Sequence, residues 1–176
     1  MSIKNFFEKY LNHDDKKVQL FSRIVIFLSL FFVSLFIIYF LFSFLNFQKP
    51  YSWILIKSFE NSHTVVPYDD LTGFMIQDEM INIQDVCTGW FELAVFISLI
   101  IATIDVSLKK RLYGILILIP TFLVFNFTRI YVIVLSLIYL DVGFVDILHT
   151  ILFKVGLFIF FGLFYYLWLK ISTKIK

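Results

Sequence analysis

One cysteine, three prolines, six glycines and three histidines in 176 residues leave several classes of function without material. A lone cysteine cannot close an internal disulfide, so no disulfide framework exists and the compartment cannot be read from cysteine pairing. His13 and His63 have no metal-ligand spacing around them, and neither a phosphate loop nor a dinucleotide fingerprint occurs, so no metal and no cofactor is implied. Charged residues make up only 16% of the chain, and a net charge of +2 is too small and too scattered to point to nucleic acid as a partner. No internal repeat, Gly/Ser linker or low-complexity tract is evident.

What the chain has in excess is apolar. It is 60% hydrophobic and 20% aromatic, with 24 Phe, well outside soluble composition, and its length suits one compact bundle in a membrane. A spanning helix needs about 20 apolar residues. Four stretches qualify: Phe21 to Phe47, Thr88 to Ile104, Leu112 to Leu140, and Leu148 to Leu169. The expected fold is therefore all-α, a polytopic bundle of four transmembrane helices. The first stretch is too long for the apolar core of a secretory signal and lacks a small-residue cleavage site, which predicts a retained helix. The third is long enough to tilt, to protrude into water, or to break near Pro120.

Orientation follows from Lys and Arg in short loops. Lys4, Lys9, Lys16, Lys17 and Arg23 precede or open the first span, Lys109, Lys110 and Arg111 join the second to the third, and Lys170, Lys174 and Lys176 close the fourth. These segments are expected on the cytoplasmic side of the cell membrane, with both termini inside. The opposite side receives Gln48 to Val86, where Lys49 and Lys57 are outnumbered by Glu60, Asp69, Asp70, Asp78, Glu79 and Asp85, and the short turn with Asp141 and Asp146. The resulting organisation is a cytoplasmic segment 1–20, a first span 21–47, an outer loop 48–86, a core 87–170 with the other three spans, and a tail 171–176. The outer loop mixes turn residues with apolar patches, "YSWILI" and "GFMI", and reads as a surface spacer or as a lid over the outer face.

Depth singles out three reactive residues. At ~1.5 Å per helical residue, Arg111 back to Cys87 spans roughly 36 Å, Arg111 forward to Arg129 about 27 Å, and Lys170 back to His149 about 31 Å. Against a hydrocarbon core about 30 Å thick, all three reach the outer boundary, each from a different helix. Each also has an ordinary explanation: a small hydrophobe for Cys87, an interfacial ring for His149, a snorkelling cation for Arg129. Together they suit thiol chemistry on a carbonyl. Cys87 is expected in the first turn of its helix, where backbone donors and the helix dipole favour a thiolate. His149 can take the thiol proton and return it to a leaving amine. Arg129, permanently charged, can hold a developing oxyanion.

Supporting candidates surround the trio. Asn126 lies three residues before Arg129 and can hydrogen-bond its guanidinium or a substrate. Glu92, five residues into the second span, is a costly carboxylate that would pair with Lys154 or Arg129 or be protonated. Asp146, three residues before His149, can orient the imidazole or stay solvated.

The triplet Cys87-Thr88-Gly89 at the outer start of a helix, then "NFTRI" with Asn126, Arg129 and Ile130, then His149 opening the last span, resembles the exosortase/archaeosortase family in the order Cys, Arg, His. The match covers roughly residues 84 to 169. The resemblance implies a membrane cysteine transpeptidase of the cell envelope, with its active site at the outer face. Its partners would be exported proteins whose C-terminal tail carries a short motif, a transmembrane helix and a basic cluster. It implies an acyl-enzyme on Cys87, stabilisation by Arg129, acid/base transfer by His149, and delivery of the new C-terminus to an amine, including a membrane lipid, or to water. Many family members have about eight spans, so a four-span chain would lack accessory N-terminal helices. Two other classes compete: a small proton-coupled transporter using Glu92, and a non-catalytic membrane assembly subunit that needs none of the trio.

Overall fold

The computed structural model describes residues 16–61, 64–68, 73–76, 79–140 and 142–174. Lys4, Lys9, His13, His63, Asp69, Asp70, Asp78, Asp141 and Lys176 lie outside the described residues, as do the readings placed on them. The elements in order are α1 (Lys16–Phe42), α2 (Gln48–Phe59), β1 (Val65–Tyr68), β2 (Gly73–Ile76), β3 (Glu79–Asn82), α3 (Asp85–Thr88), α4 (Trp90–Ala102), α5 (Leu108–Tyr139), α6 (Val142–Thr150), a π-helical segment (Ile151–Gly156) and α7 (Leu157–Lys174). The fold is mostly helical rather than all-α.

Three helical stretches are long and apolar enough to cross a membrane: Lys17–Phe42, Leu108–Tyr139 and Gly143–Thr173. They suggest a multi-pass membrane protein. The expected second span, Thr88 to Ile104, is not one of them. The helix in that region, α4, has 13 residues, which at ~1.5 Å each is about 20 Å, short of a hydrocarbon core about 30 Å thick. It is cut short by Gly89 on one side and by the non-helical Thr103 on the other. The first span also ends earlier than its apolar run suggests. Helix α1 stops at Phe42, and residues up to Phe47 form the turn into α2.

Residues 48–86 are a folded unit and not a plain loop. Helix α2 places Pro50 in its first turn, where a missing amide hydrogen costs little. Its buried face, Tyr51, Ser52, Leu55 and Phe59, follows helical spacing. The strands form an antiparallel sheet in the order β1-β2-β3, with Phe74 opposite Ile81 and Met75 opposite Met80. Period-two alternation buries Phe74, Ile76, Ile81 and Ile83. These side chains and the α2 face pack on Ile130 and Val134 of α5.

Helix α5 accounts for this two-part architecture. At 32 residues it is about 48 Å long, more than a bilayer core requires. It runs unbroken through Pro120. Its first half packs Leu118 and Phe122 against α4 and α7 in one apolar core, and its second half supplies Ile130 and Val134 to the other. Of the three outcomes the sequence left open, the break near Pro120 is not realised.

The opposite end is closed by polar contacts that explain part of the basic cluster. Arg111 donates to the carbonyls of Ile101, Ile104 and Val106 at 2.7, 3.1 and 2.7 Å, satisfying the C-terminal end of α4. Thr103 and Tyr165 share a hydrogen bond of 2.9 Å. Helix α1 packs mainly on α4, with Tyr39 against Trp90 at 4.9 Å, and exposes most of its aromatic and aliphatic side chains.

Candidate functional site

The site begins with a glycine. Gly89 has φ 69° and ψ 15°, a left-handed conformation that ends the one-turn helix α3 and starts α4 in a new direction. It also sits against α5 so closely that a Cβ would lie 2.7 Å from Phe122 Cζ and 3.2 Å from Asn126 Oδ1. The chain from Cys87 to Gly89 is thereby pressed onto the middle of α5.

Two side chains of α5, three residues apart and so on neighbouring turns, hold that segment by its carbonyls. Asn126 Nδ2 donates to Cys87 O at 3.1 Å and to Thr88 O at 2.8 Å, and Arg129 Nη2 donates to Cys87 O at 2.9 Å. Asn126, Arg129 and Thr88 are all buried. Asn126 is thus a structural clamp on the junction itself: its amide bonds the Cys87–Thr88 backbone, a contact apart from the expected bond to Arg129 or to a substrate. Cys87 is correspondingly not in the first turn of a long helix. It occupies the third position of α3, and its amide hydrogen already goes to Gln84 O at 2.9 Å. The helix-dipole activation expected from sequence does not apply; the fixed cation beside Cys87 is Arg129.

Cys87, Arg129 and His149 line one cavity of about 250 Å³. Its remaining wall is Met80–Ile83 from β3 and the apolar stripe Ile130, Ile133, Val134 and Leu137 of α5. Arg129 is 4% exposed, yet its Nε and Nη1 have no hydrogen-bond partner. Leaving buried donors unpaired costs about 1–3 kcal/mol each. Phe153, in the π-helical segment, links the other two elements: the Arg129 guanidinium carbon sits 4.9 Å from its ring centre, and the His149 ring stacks on it at 6.0 Å. A π-helical turn widens the helix and re-aims the side chains on either side of it. Here it separates His149, at the end of α6, from the α7 face that packs Leu157 and Phe161 into the bundle core.

The other sequence candidates are placed unevenly. Glu92 is half-buried and within electrostatic reach of Arg129, but no ion pair joins it to Arg129 or Lys154 among the described residues. Lys154 is exposed, on the outside of the π-helical segment. Asp146 is exposed and does not line the cavity.

Two residues the sequence did not single out complete the buried polar group. Tyr51 and Ser52 of α2 lie behind Arg129 and Asn126, and their hydroxyls, like Asn126 Oδ1, are buried without a formed hydrogen bond. Burial pushes the Tyr51 phenol above its ordinary value, while its approach to Asn126 and the charge of Arg129 pull the other way. Nothing in the local pattern of "KPYSWI" separates Tyr51 from the other apolar-face residues of its helix; the signal is its partner across the fold. Among the described residues no cluster of His, Cys, Asp or Glu could hold a metal ion. No protein-family model, no curated protein and no solved structure matches the chain.

Proposed function

We propose that the protein is a thiol-dependent peptidase or transpeptidase acting at the outer boundary of the cell membrane on C-terminal tails of exported proteins. The observation that carries this reading is the shared cavity of Cys87, Arg129 and His149, in which a buried guanidinium keeps two nitrogens without partners. A carbonyl placed there meets a sulfur, a cation and an imidazole at once.

In this reading the Cys87 thiol gives its proton to His149 as the sulfur–carbon bond forms. The carbonyl oxygen takes negative charge beside the positively charged Arg129 guanidinium. When the tetrahedral centre collapses, the amide carbon–nitrogen bond breaks and the departing amine takes the proton from His149. The thioester on Cys87 is then opened by an amine, giving a new amide, or by water, giving an acid. Asn126, Thr88 and Gly89 fix the backbone that carries the sulfur. The choice of a sorting tail as substrate comes from the resemblance of the ordered trio to the exosortase/archaeosortase family.

The test is co-expression with an exported protein ending in a transmembrane helix and basic cluster, followed by intact mass of its C-terminus. A truncated or lipid-linked product with wild type, absent with Cys87→Ala, is the expected result. Tails that stay intact beside membrane-inserted wild type sink the reading, and a cellular phenotype lost in Glu92→Gln but kept in Cys87→Ala moves the protein to the transporter class.

A further inference from the structure

The cavity that holds the trio is unequal. One end is polar, with Cys87, Arg129 and His149, and the rest is walled by aliphatic side chains of α5 and β3. We propose that this apolar end is a side-chain subsite, and that the substrate residue whose carbonyl meets Cys87 carries a bulky, uncharged, apolar side chain. The inference rests on the peptidase reading and adds the kind of residue it accepts.

Three observations lead there. Along α5, Arg129 is followed by Ile130, Ile133, Val134 and Leu137 on the same face of the cavity. Ile133 stands about one helical turn from Arg129, or about 5.4 Å along the axis, a separation that a carbonyl and the tip of its own side chain can bridge. A carbonyl held by Arg129 therefore delivers its side chain to Ile133. The second observation is size. About 250 Å³ falls just under the ~300–1,000 Å³ of pockets that enclose drug-sized ligands. One residue fits there; a long lipid chain does not. The third is charge. Among the described residues lining the cavity Arg129 alone carries a fixed charge and no carboxylate is present. A basic side chain would be repelled, and an acidic one would occupy the guanidinium that the carbonyl oxygen needs. The strand side of the subsite, Ile81 and Ile83, is anchored in the core beneath the sheet, so the wall is fixed before a ligand arrives.

The experiment uses the full chain in detergent and peptidyl chloromethyl ketones identical except for the residue bearing the ketone: Leu, Phe, Asp or Lys. Labelling forms a sulfur–carbon bond on Cys87 and releases chloride, and intact mass reads its rate. Iodoacetamide, which carries no side chain, reports thiol access in each variant. The Leu ketone is expected to label at least about tenfold faster than the Asp or Lys ketone, the discrimination typical of a well-formed apolar pocket. Ile133→Trp, which fills the subsite, should abolish that preference, and Ile133→Ala, which widens it, should move the preference from Leu towards Phe. Equal rates for all four ketones, or a preference untouched by both Ile133 variants, overturn the subsite while leaving the peptidase reading in place. If no ketone labels Cys87 although iodoacetamide does, the peptide-processing reading itself falls, and the subsite with it.

Discussion

Cys87 owes its position to residues that do not themselves line the cavity. Gly89 supplies the left-handed turn and the close approach to Phe122, and Asn126 supplies two of the three hydrogen bonds that hold the Cys87 and Thr88 carbonyls. Gly89→Ala should destabilise the protein by about 1–3 kcal/mol, the cost of a non-glycine residue at a left-handed position. Asn126→Ala should cost about the same, through the loss of its two buried hydrogen bonds to the Cys87 and Thr88 carbonyls. Because both act on one junction, the double variant should lose less than the sum, a departure that thermal unfolding in detergent can measure. Tyr51 makes a pH prediction. Its phenol is held above the ordinary value of about 10, so the unfolded chain ionises first as pH rises. Stability from this group is fully present below about pH 10 and is lost as pH climbs through the folded-state value. Tyr51→Phe should remove that alkaline loss, seen as a flatter melting temperature between pH 9 and about pH 11 than in wild type.

Among the elements, the π-helical segment carries the clearest functional expectation. Phe153 contacts both the Arg129 guanidinium and the His149 ring. Phe153→Ala should leave the protein inserted but let both groups move; a misplacement near 1 Å can cost about a hundredfold in rate. Phe153→Leu, which keeps bulk without a π face, should recover packing but not the cation–π contact. Tail processing in the co-expression assay separates the two. A rate equal to wild type in Phe153→Ala would show that the stacked arrangement does not position the trio. Helix α2 and the sheet matter in a different way. They cover the far half of α5 and bury Tyr51 and Ser52 behind Arg129, so this unit is a wall of the site and not a spacer.

For the whole molecule, the three long helices and the short α4 set the topology. Three helices are long enough to cross, and the α3–α4 segment is the path between the α2–sheet unit and the turn before α5. In a Cys87→Ala background, Asn61→Cys and Ser107→Cys, both at exposed positions, test the orientation expected from the basic residues, in which a membrane-impermeant maleimide reaches them from opposite sides of the membrane. Labelling of both from one side would contradict the arrangement. The broad apolar surface of α1, including Phe32, Phe36 and Phe40, is what a helix facing lipid presents.

Composition and apolar run length determined by themselves that this is a membrane-type chain of mostly helical structure, because the bilayer admits long apolar segments only as helices or closed barrels. Spacing from the basic residues put Cys87, Arg129 and His149 at similar depth by assuming a constant helical rise, which the breaks at Gly89 and Thr103 and the π-helical segment interrupt. What depth cannot give is azimuth: whether three residues on three elements face one another is decided by packing, and here by Gly89 against Phe122, the clamp of Asn126, and Phe153 between Arg129 and His149. The helix boundary at Gly89 was equally beyond an apolar run, because hydropathy does not register a left-handed turn within it. The fold of residues 48–86 escaped for a related reason. Its strands are only four residues long, and the core that holds them lies on the second half of α5, about fifty residues away in sequence, where only the tertiary structure brings the two together.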